Sequence, residues 1–138
     1  MGLPVGRVYR VLRSCGSTAL PNEIANTTWG RLLAESEPVH ALVAEIDDAL
    51  VGVAHYIFHR STIRLGNTCY LQGLYTAPEA RGVGVGRALI EGVYRAARAA
   101  GAPQVYWHTQ ESNAGARALY DKLALDSGFV VYRKALAT

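Results

Sequence analysis

Three glycines at alternate positions, Gly82, Gly84 and Gly86, stand between a strand-like segment and a helix, and they constrain this chain more than any other feature. The strand-like segment is Tyr70-Leu71-Gln72-Gly73-Leu74-Tyr75-Thr76, and the glycine run is Ala80-Arg81-Gly82-Val83-Gly84-Val85-Gly86-Arg87-Ala88-Leu89. A backbone bare of side chains at every second residue lets consecutive N–H groups converge on one ligand. The helix that follows adds the positive end of its dipole. Phosphate or pyrophosphate suits such a site. A glycine run alone is as readily a flexible turn; the strand, loop and helix order and the bracketing Arg81 and Arg87 favour the anion reading.

Other glycine loops can be tested on the same letters. A dinucleotide fingerprint, G-x-G-x-x-G, read from Gly82 and Gly84 would place its third glycine at Arg87, and it fails. A P-loop ends in Gly-Lys-Ser/Thr, whereas Gly86 is followed by Arg87-Ala88. The pattern that fits is Arg-x-x-Gly-x-Gly at Arg81, Gly84 and Gly86. It resembles the acetyl-coenzyme A signature of the GNAT superfamily of N-acetyltransferases. The resemblance extends over roughly residues 40–135. Leu74 to Arg81 is similar to the family's fourth strand and its exit into the pyrophosphate loop. Val105 to Asn113 is similar to the fifth strand and the Asn after it, and Ala116-Arg117-Ala118-Leu119-Tyr120 to the helix with a Leu/Phe-Tyr pair.

The periodicities supply a coarse map. Val5, Val8, Tyr9, Leu12 and Cys15 have helical spacing, with Arg7, Arg10 and Arg13 opposite. The family begins with a strand, so either that strand is absent here or residues 7–13 supply it. A short helix is expected over Glu23–Ala34 and a strand over His40–Ile46. A hairpin connection at Asp47-Asp48-Ala49 leads to a strand over Leu50–Arg60, and another strand covers Thr68–Thr76. Residues 86–100 carry one apolar stripe, Leu89, Ile90, Val93, Tyr94 and Ala97, with Arg87, Glu91 and Arg95 opposite and Glu91 to Arg95 well oriented as a pair. Gly101-Ala102-Pro103 stops that helix. A strand at Gln104–His108, a helix at Asn113–Leu125 and a last strand at Phe129–Lys134 complete a mixed α/β sheet. The resemblance implies a GNAT-like, centrally splayed β-sheet flanked by helices.

Composition bounds the rest. The 138 residues, half of them hydrophobic, read as a single globular domain over residues 1–138. No apolar run approaches the ~20 residues that span a bilayer. Met1-Gly2-Leu3-Pro4 opens no apolar signal segment, and Gly at position 6 argues against myristoylation. Cys15 and Cys69 read as thiols of a reducing compartment, and no Cys/His spacing suggests a metal. A net charge of +3 is too small for a nucleic-acid partner and suits a protein that holds a polyanion. Arg95 and Arg98 read as a solvated helix face. A cytoplasmic protein is expected, with no membrane partner. It is expected to pair as a homodimer, because an amino-terminal region short of one strand leaves a sheet edge uncovered.

The resemblance then assigns roles. Arg81, Gly82, Val83, Gly84, Val85, Gly86, Arg87 and Ala88 would hold the pyrophosphate of acetyl-CoA. The backbone of Leu74, Tyr75 and Thr76, where the central strand stops pairing, would hold the pantetheine arm and the acetyl oxygen. Asn113 would touch the cosubstrate while capping its helix. Tyr120 lies seven residues after Asn113, almost on the same helix face. Its phenol, with a pKa near 10, is a suitable acid for the leaving thiolate; packing beside Leu119 and Leu123 is the competing role. The central-strand carboxylate that many members use as a base is missing, since Gln72 and Gly73 precede Leu74. Glu111, His108, His55, His59 or a relayed water remain. The Gly-Phe pair that usually follows the tyrosine closely is delayed to Gly128-Phe129, which implies an extra helical turn or a longer loop. The expected function is acetyl transfer from acetyl-CoA to a primary amine of a small molecule, by direct attack in a ternary complex. The alternative is a module of the same fold that holds acetyl-CoA without turnover. Transfer to protein termini or lysines is a third reading, with no peptide groove marked in the sequence.

Overall fold

The computed structural model describes residues 7–10 and 22–137. One sheet holds five strands in sequence order: β1 (Arg7–Arg10), β2 (Val39–Ile46), β3 (Ala49–His59), β4 (Thr68–Thr76) and β5 (Val105–Tyr106). The first four are antiparallel neighbours, and β5 runs parallel to β4. The described residues also form three helices: α1 (Asn22–Leu33), α2 (Val85–Ala99) and α3 (Ala114–Leu123). The chain divides into two compact units, Met1–His108 and Thr109–Thr138. The first contains the sheet with α1 and α2, the second contains α3.

The sheet is covered differently on its two faces. Leu32 of α1 is buried against Ala41 and Val43 of β2, with Trp29, Val39 and Val53 packed around them. Side chains alternate across a sheet, so the neighbouring positions Ala44, Gly52 and Ala54 face the other way, and there they meet α2. A Cβ added to Gly52 would stand 2.8 Å from Val85 Cγ1 and 3.0 Å from both Leu89 Cδ1 and the Tyr75 carbonyl oxygen. Only glycine lets the helix come this close. Val85, Leu89, Ile90 and Val93 of α2 are fully buried, as is Cys69 of β4 beneath them.

Several expectations are corrected. Residues 7–10 form β1, paired with Glu45 to Leu42 of β2, so the first strand is present and the helical spacing of its apolar residues is overridden by sheet pairing. Residues 11–21, including Cys15, lie outside the described residues. The hairpin after β2 is the two-residue minimum: Asp47 and Asp48 both take positive φ (50° and 64°), and Ala49 already belongs to β3. That is the left-handed pair a right-twisted hairpin favours, and Asp tolerates it. The strand expected over Gln104–His108 shrinks to Val105–Tyr106. On α2 the ion pair formed is Arg87 with Glu91 (3.0 Å), both ends exposed, rather than Glu91 with Arg95. Helix α3 ends at Leu123 rather than Leu125, and of the two alternatives, an extra helical turn or a longer loop, residues 124–127 take the loop, with Asp126 Oδ1 accepting from the Gly128 N–H. The segment Phe129–Lys134 is not a strand. A strand exists through its ladder, and among the described residues nothing pairs with this one.

Leu89 is wholly buried under the close approach at Gly52. Leu89→Ala is expected to lower the unfolding free energy by about 2–5 kcal/mol, read from urea denaturation of the two proteins.

Candidate active site

The first unit gathers most of the residues singled out by the sequence at the carboxyl end of β4. After Thr76, the Ala77 N–H donates to the Val51 carbonyl (2.8 Å), and a single 3-10 turn, Pro78–Ala80, leads into the glycine loop. Gly82 and Gly84 take φ of 81° and 90°, and a Cβ added to either would meet nothing within 4 Å. Gly84 is the N-cap of α2, and no side chain caps that end. The first N–H groups of a 15-residue helix are therefore offered to whatever enters the open space above the glycines. No acidic residue occupies the first turn. Arg81, Gly82 and Gly84 are exposed, and Val83, Gly86 and Ala88 are half-buried. Val85 is a core residue, so it can contribute only its backbone to this surface. Arg87 is turned along α2 toward Glu91.

The strand before the loop is split on one side. β4 pairs with β5 only at Cys69 with Val105 and Tyr70 with Tyr106. From Leu71 to Thr76 that edge has no ladder partner among the described residues, while the other edge stays paired with β3 up to Thr76. The split thus begins earlier than the expected Leu74–Thr76. Within the open stretch the register with β3 shifts: His55 pairs with Gly73 and Tyr56 with Leu71, and Gln72 is the extra residue of a bulge. The bulge reverses which residues face each side beyond it. Leu74 and Thr76 turn toward the α2 face, and Gly73 and Tyr75 toward the α1 face.

The α1 face also carries a ladder of rings. Tyr70 and Tyr106 stack at 5.0 Å, His59 meets Tyr106 edge-on at 5.7 Å, and His108 lies 5.2 Å from Tyr70. The His59 Nδ1–H donates to the Arg60 carbonyl (2.8 Å), which leaves Nε2 to accept from the Tyr106 hydroxyl (2.8 Å) in the neutral ring. Burial, then the neighbouring Tyr70 and Cys69, push the Tyr106 phenol above its ordinary value, so it stays a donor. The Tyr70 hydroxyl is hydrogen-bonded to His108 Nδ1 at 3.3 Å.

The four side chains considered as proton acceptors are thereby distinguished. Both nitrogens of His59 are engaged, and one nitrogen of His108 is. His55 is half-buried, and burial lowers its pKa. Glu111 belongs to the second unit, where its backbone carbonyl accepts from the Arg117 guanidinium (2.9 Å).

The second unit holds Asn113 and Tyr120. Asn113 is the N-cap of α3, its Oδ1 accepting from the Ala116 N–H at 3.3 Å. Tyr120 is half-buried in the same helix, and burial raises its phenol above the ordinary value, so it carries its proton at neutral pH. The bulge at Gln72 and the ring ladder are features that sequence reading missed. The isolated Gly73 inside a strand pattern was a usable signal for the bulge; the ladder depends on a β4–β5 pairing that no local pattern announces.

Comparison with known proteins places this arrangement. Residues 7–124 match the acetyltransferase (GNAT) family. The D-amino-acid N-acetyltransferase HPA3 of Saccharomyces cerevisiae is 34% identical over 131 residues, covering 93% of this chain and 81% of the yeast protein. Among solved structures, the AAC(6')-Iy complex with the bisubstrate analog CoA-S-monomethyl-acetylneamine superposes with a TM-score of 0.75 at 17% identity, covering 87% of this chain and 84% of the other. The aminoglycoside acetyltransferase HMB0005 from an uncultured soil metagenomic sample gives 0.71 at 26% identity, covering 78% and 71%. The chain belongs to the GNAT acetyltransferase family and is an enzyme, an acyltransferase.

Proposed function

We propose that this protein transfers the acetyl group of acetyl-CoA to the primary amine of a small molecule, by direct attack within a ternary complex. The observation that carries the reading is the pair of exposed, positive-φ glycines before an uncapped helix, placed at the end of a strand whose edge is open. These residues fit a pyrophosphate. The space a Cβ would fill above Gly82 and Gly84 is clear, and the N–H groups of Val85, Gly86 and Arg87 precede the first intrahelical bond, which the Ala88 N–H makes to the Gly84 carbonyl at 3.0 Å. Acetyl-CoA supplies the activated acetyl group as a thioester. The open edge at Leu74, Tyr75 and Thr76 supplies backbone donors and acceptors for an extended amide chain, in the manner of a missing strand. Asn113 is assigned a contact with the same cosubstrate.

Direct transfer is supported by the state of the one thiol among the described residues. Cys69 is buried, and burial pushes its pKa up to about 11, so it offers no thiolate to form an acyl-enzyme. The proton for the departing thiolate is assigned to Tyr120 on its chemistry, as a phenol kept protonated by burial. The acceptor is assigned as a small amine because two proteins named for small-molecule substrates, D-amino acids and aminoglycosides, are similar to this chain. D-amino acids come first, since that relative shares most of its length with this one. The working form is proposed to be a cytoplasmic dimer. Its motive is the apolar segment Phe129, Val130, Val131 and Tyr132, exposed at every position. Light scattering is expected to give twice the monomer mass; a monomer at high concentration contradicts it.

The function is tested by calorimetry with acetyl-CoA and by thiol release with D-phenylalanine, other D- and L-amino acids, polyamines and aminoglycosides. Gly84→Asp is expected to abolish acetyl-CoA binding while the fold survives: the side chain enters open space, the backbone strain at φ 90° falls on an exposed loop residue, and a carboxylate is placed where the phosphates would lie. Wild-type affinity in that variant removes the loop from the site. Binding without turnover of any amine would favour the non-catalytic module.

Tyr120→Phe is expected to keep acetyl-CoA affinity and lower the maximal rate roughly 10²–10⁴-fold, the loss typical of a general acid. A fall in affinity together with rate would make Tyr120 a cosubstrate-orienting residue instead. Full activity would return it to a packing role beside Leu119 and Leu123.

A further inference from the structure

An alkylammonium with a pKa near 10 must lose a proton before its nitrogen can attack. The sheet face beneath α1 holds one imidazole placed to take it. His55 of β3 lies directly between Ala41 of β2 and Gly73 of β4. Because residue 73 has no side chain, the ring lies across that position: a Cβ on Gly73 would stand 3.5 Å from His55 Nδ1. The bulge at Gln72 adjoins it, and Leu74, the first residue of the proposed thioester edge, is the next along β4. His55 is therefore one residue from that edge, half-buried, and its own ring is what a Cβ on Gly73 would meet within 4 Å. His59 is committed at both nitrogens and His108 at one. Among the described residues neither nitrogen of His55 has a hydrogen-bond partner.

We infer that His55 is the catalytic base, its Nδ1 taking the proton from the acceptor's ammonium group over Gly73; this rests on the acetyltransferase reading above. The ammonium N–H bond breaks, the new N–H bond forms on the imidazole, and the freed lone pair of the acceptor nitrogen is then available to bond the acetyl carbon. The imidazolium returns its proton to water. The assignment requires the Nε2–H tautomer, which leaves the lone pair on Nδ1. The surroundings favour a neutral ring. Ala41 and Val53 beside it belong to the apolar cluster of Leu32 and Trp29, and burial lowers its pKa. The titratable groups facing it are the phenols of Tyr70 and Tyr75 on β4, with His59 further along β3 and Glu45 near the far end of β2.

Two measurements test this. The first is the rate with D-phenylalanine against pH for wild type and His55→Gln, with acetyl-CoA affinity checked in both. The expected deficit at pH 7 is roughly 10²–10⁴-fold in kcat/KM, with acetyl-CoA affinity unchanged. The deficit should shrink as pH rises toward the amine pKa, where the acceptor deprotonates by itself. The wild-type rate should fall through an acid limb below the ordinary histidine value of about 6.5, and the variant should lack that limb. The second is nitrogen NMR of 15N-histidine protein with CoA bound, assigning His55 by elimination with variants of the other three histidines, His40, His59 and His108. A neutral Nε2–H ring at pH 7, with its Nδ1 signal moving on addition of D-phenylalanine, supports the inference. An imidazolium, an Nδ1–H ring, or a deficit constant across pH overturns it. Wild-type turnover with an unchanged profile in His55→Gln overturns the base alone; a wild type that binds acetyl-CoA yet acetylates no amine overturns the transferase reading, and the base with it.

Discussion

Everything at the proposed site depends on how closely α2 lies against the sheet. The contact is set at Gly52, where Val85, Leu89 and the Tyr75 carbonyl occupy the volume a side chain would need. Val85 is both the first residue of the helix and one of its most buried. Burying the first turn fixes the helix start against the end of β4, so the loop between them has a short span to cross. The strand end, the loop glycines and the helix N-terminus are thereby held as one rigid corner. A larger residue at 52 would push this corner away from the strand edge that it serves.

The two faces of the sheet carry different polar groups. Toward α2, Ala44, Ala54, Cys69 and Leu71 are buried, and His40 stacks on Tyr56 at 5.2 Å on the same side. Toward α1 the rows His55, His59 and Tyr70, Tyr106, His108 lie beyond the small cluster under Leu32. A phenol stacked on a phenol and hydrogen-bonded to an imidazole gives a surface that is apolar in area yet rich in directed donors and acceptors. Such a surface suits a ligand with one charged group and an otherwise modest polarity.

Legibility in the sequence followed the range of the forces involved. β4 was readable residue for residue and α2 to within one, because a strand pattern, a glycine run and an apolar stripe are local signals. β1 was left open between a missing strand and one over residues 7–13, because its four residues are shaped by their pairing with β2, a partner more than thirty residues away. The hairpin at Asp47-Asp48 was overlong by one residue, since nothing in the composition marks Ala49 as strand rather than turn. The expected strand at Phe129–Lys134 has the right residues but no ladder among those described, and hydrophobic pattern alone cannot provide one. The loop residues were singled out by motif. His55 could not be separated from His59 and His108 until hydrogen bonds showed which imidazoles were already engaged.

The extra residue at Gln72 carries a consequence for relating this sheet to others. Upstream of it the odd positions of β4 face α2 and the even ones α1; downstream they exchange faces. An alignment that slides β4 past its counterpart by a single gap in the wrong place would keep the apolar pattern of Cys69 and Leu71 and still invert the assignment of Leu74, Tyr75 and Thr76. A chimaera that exchanged this strand would have to import the bulge with it, or every graft beyond position 72 would be displayed on the opposite side of the sheet.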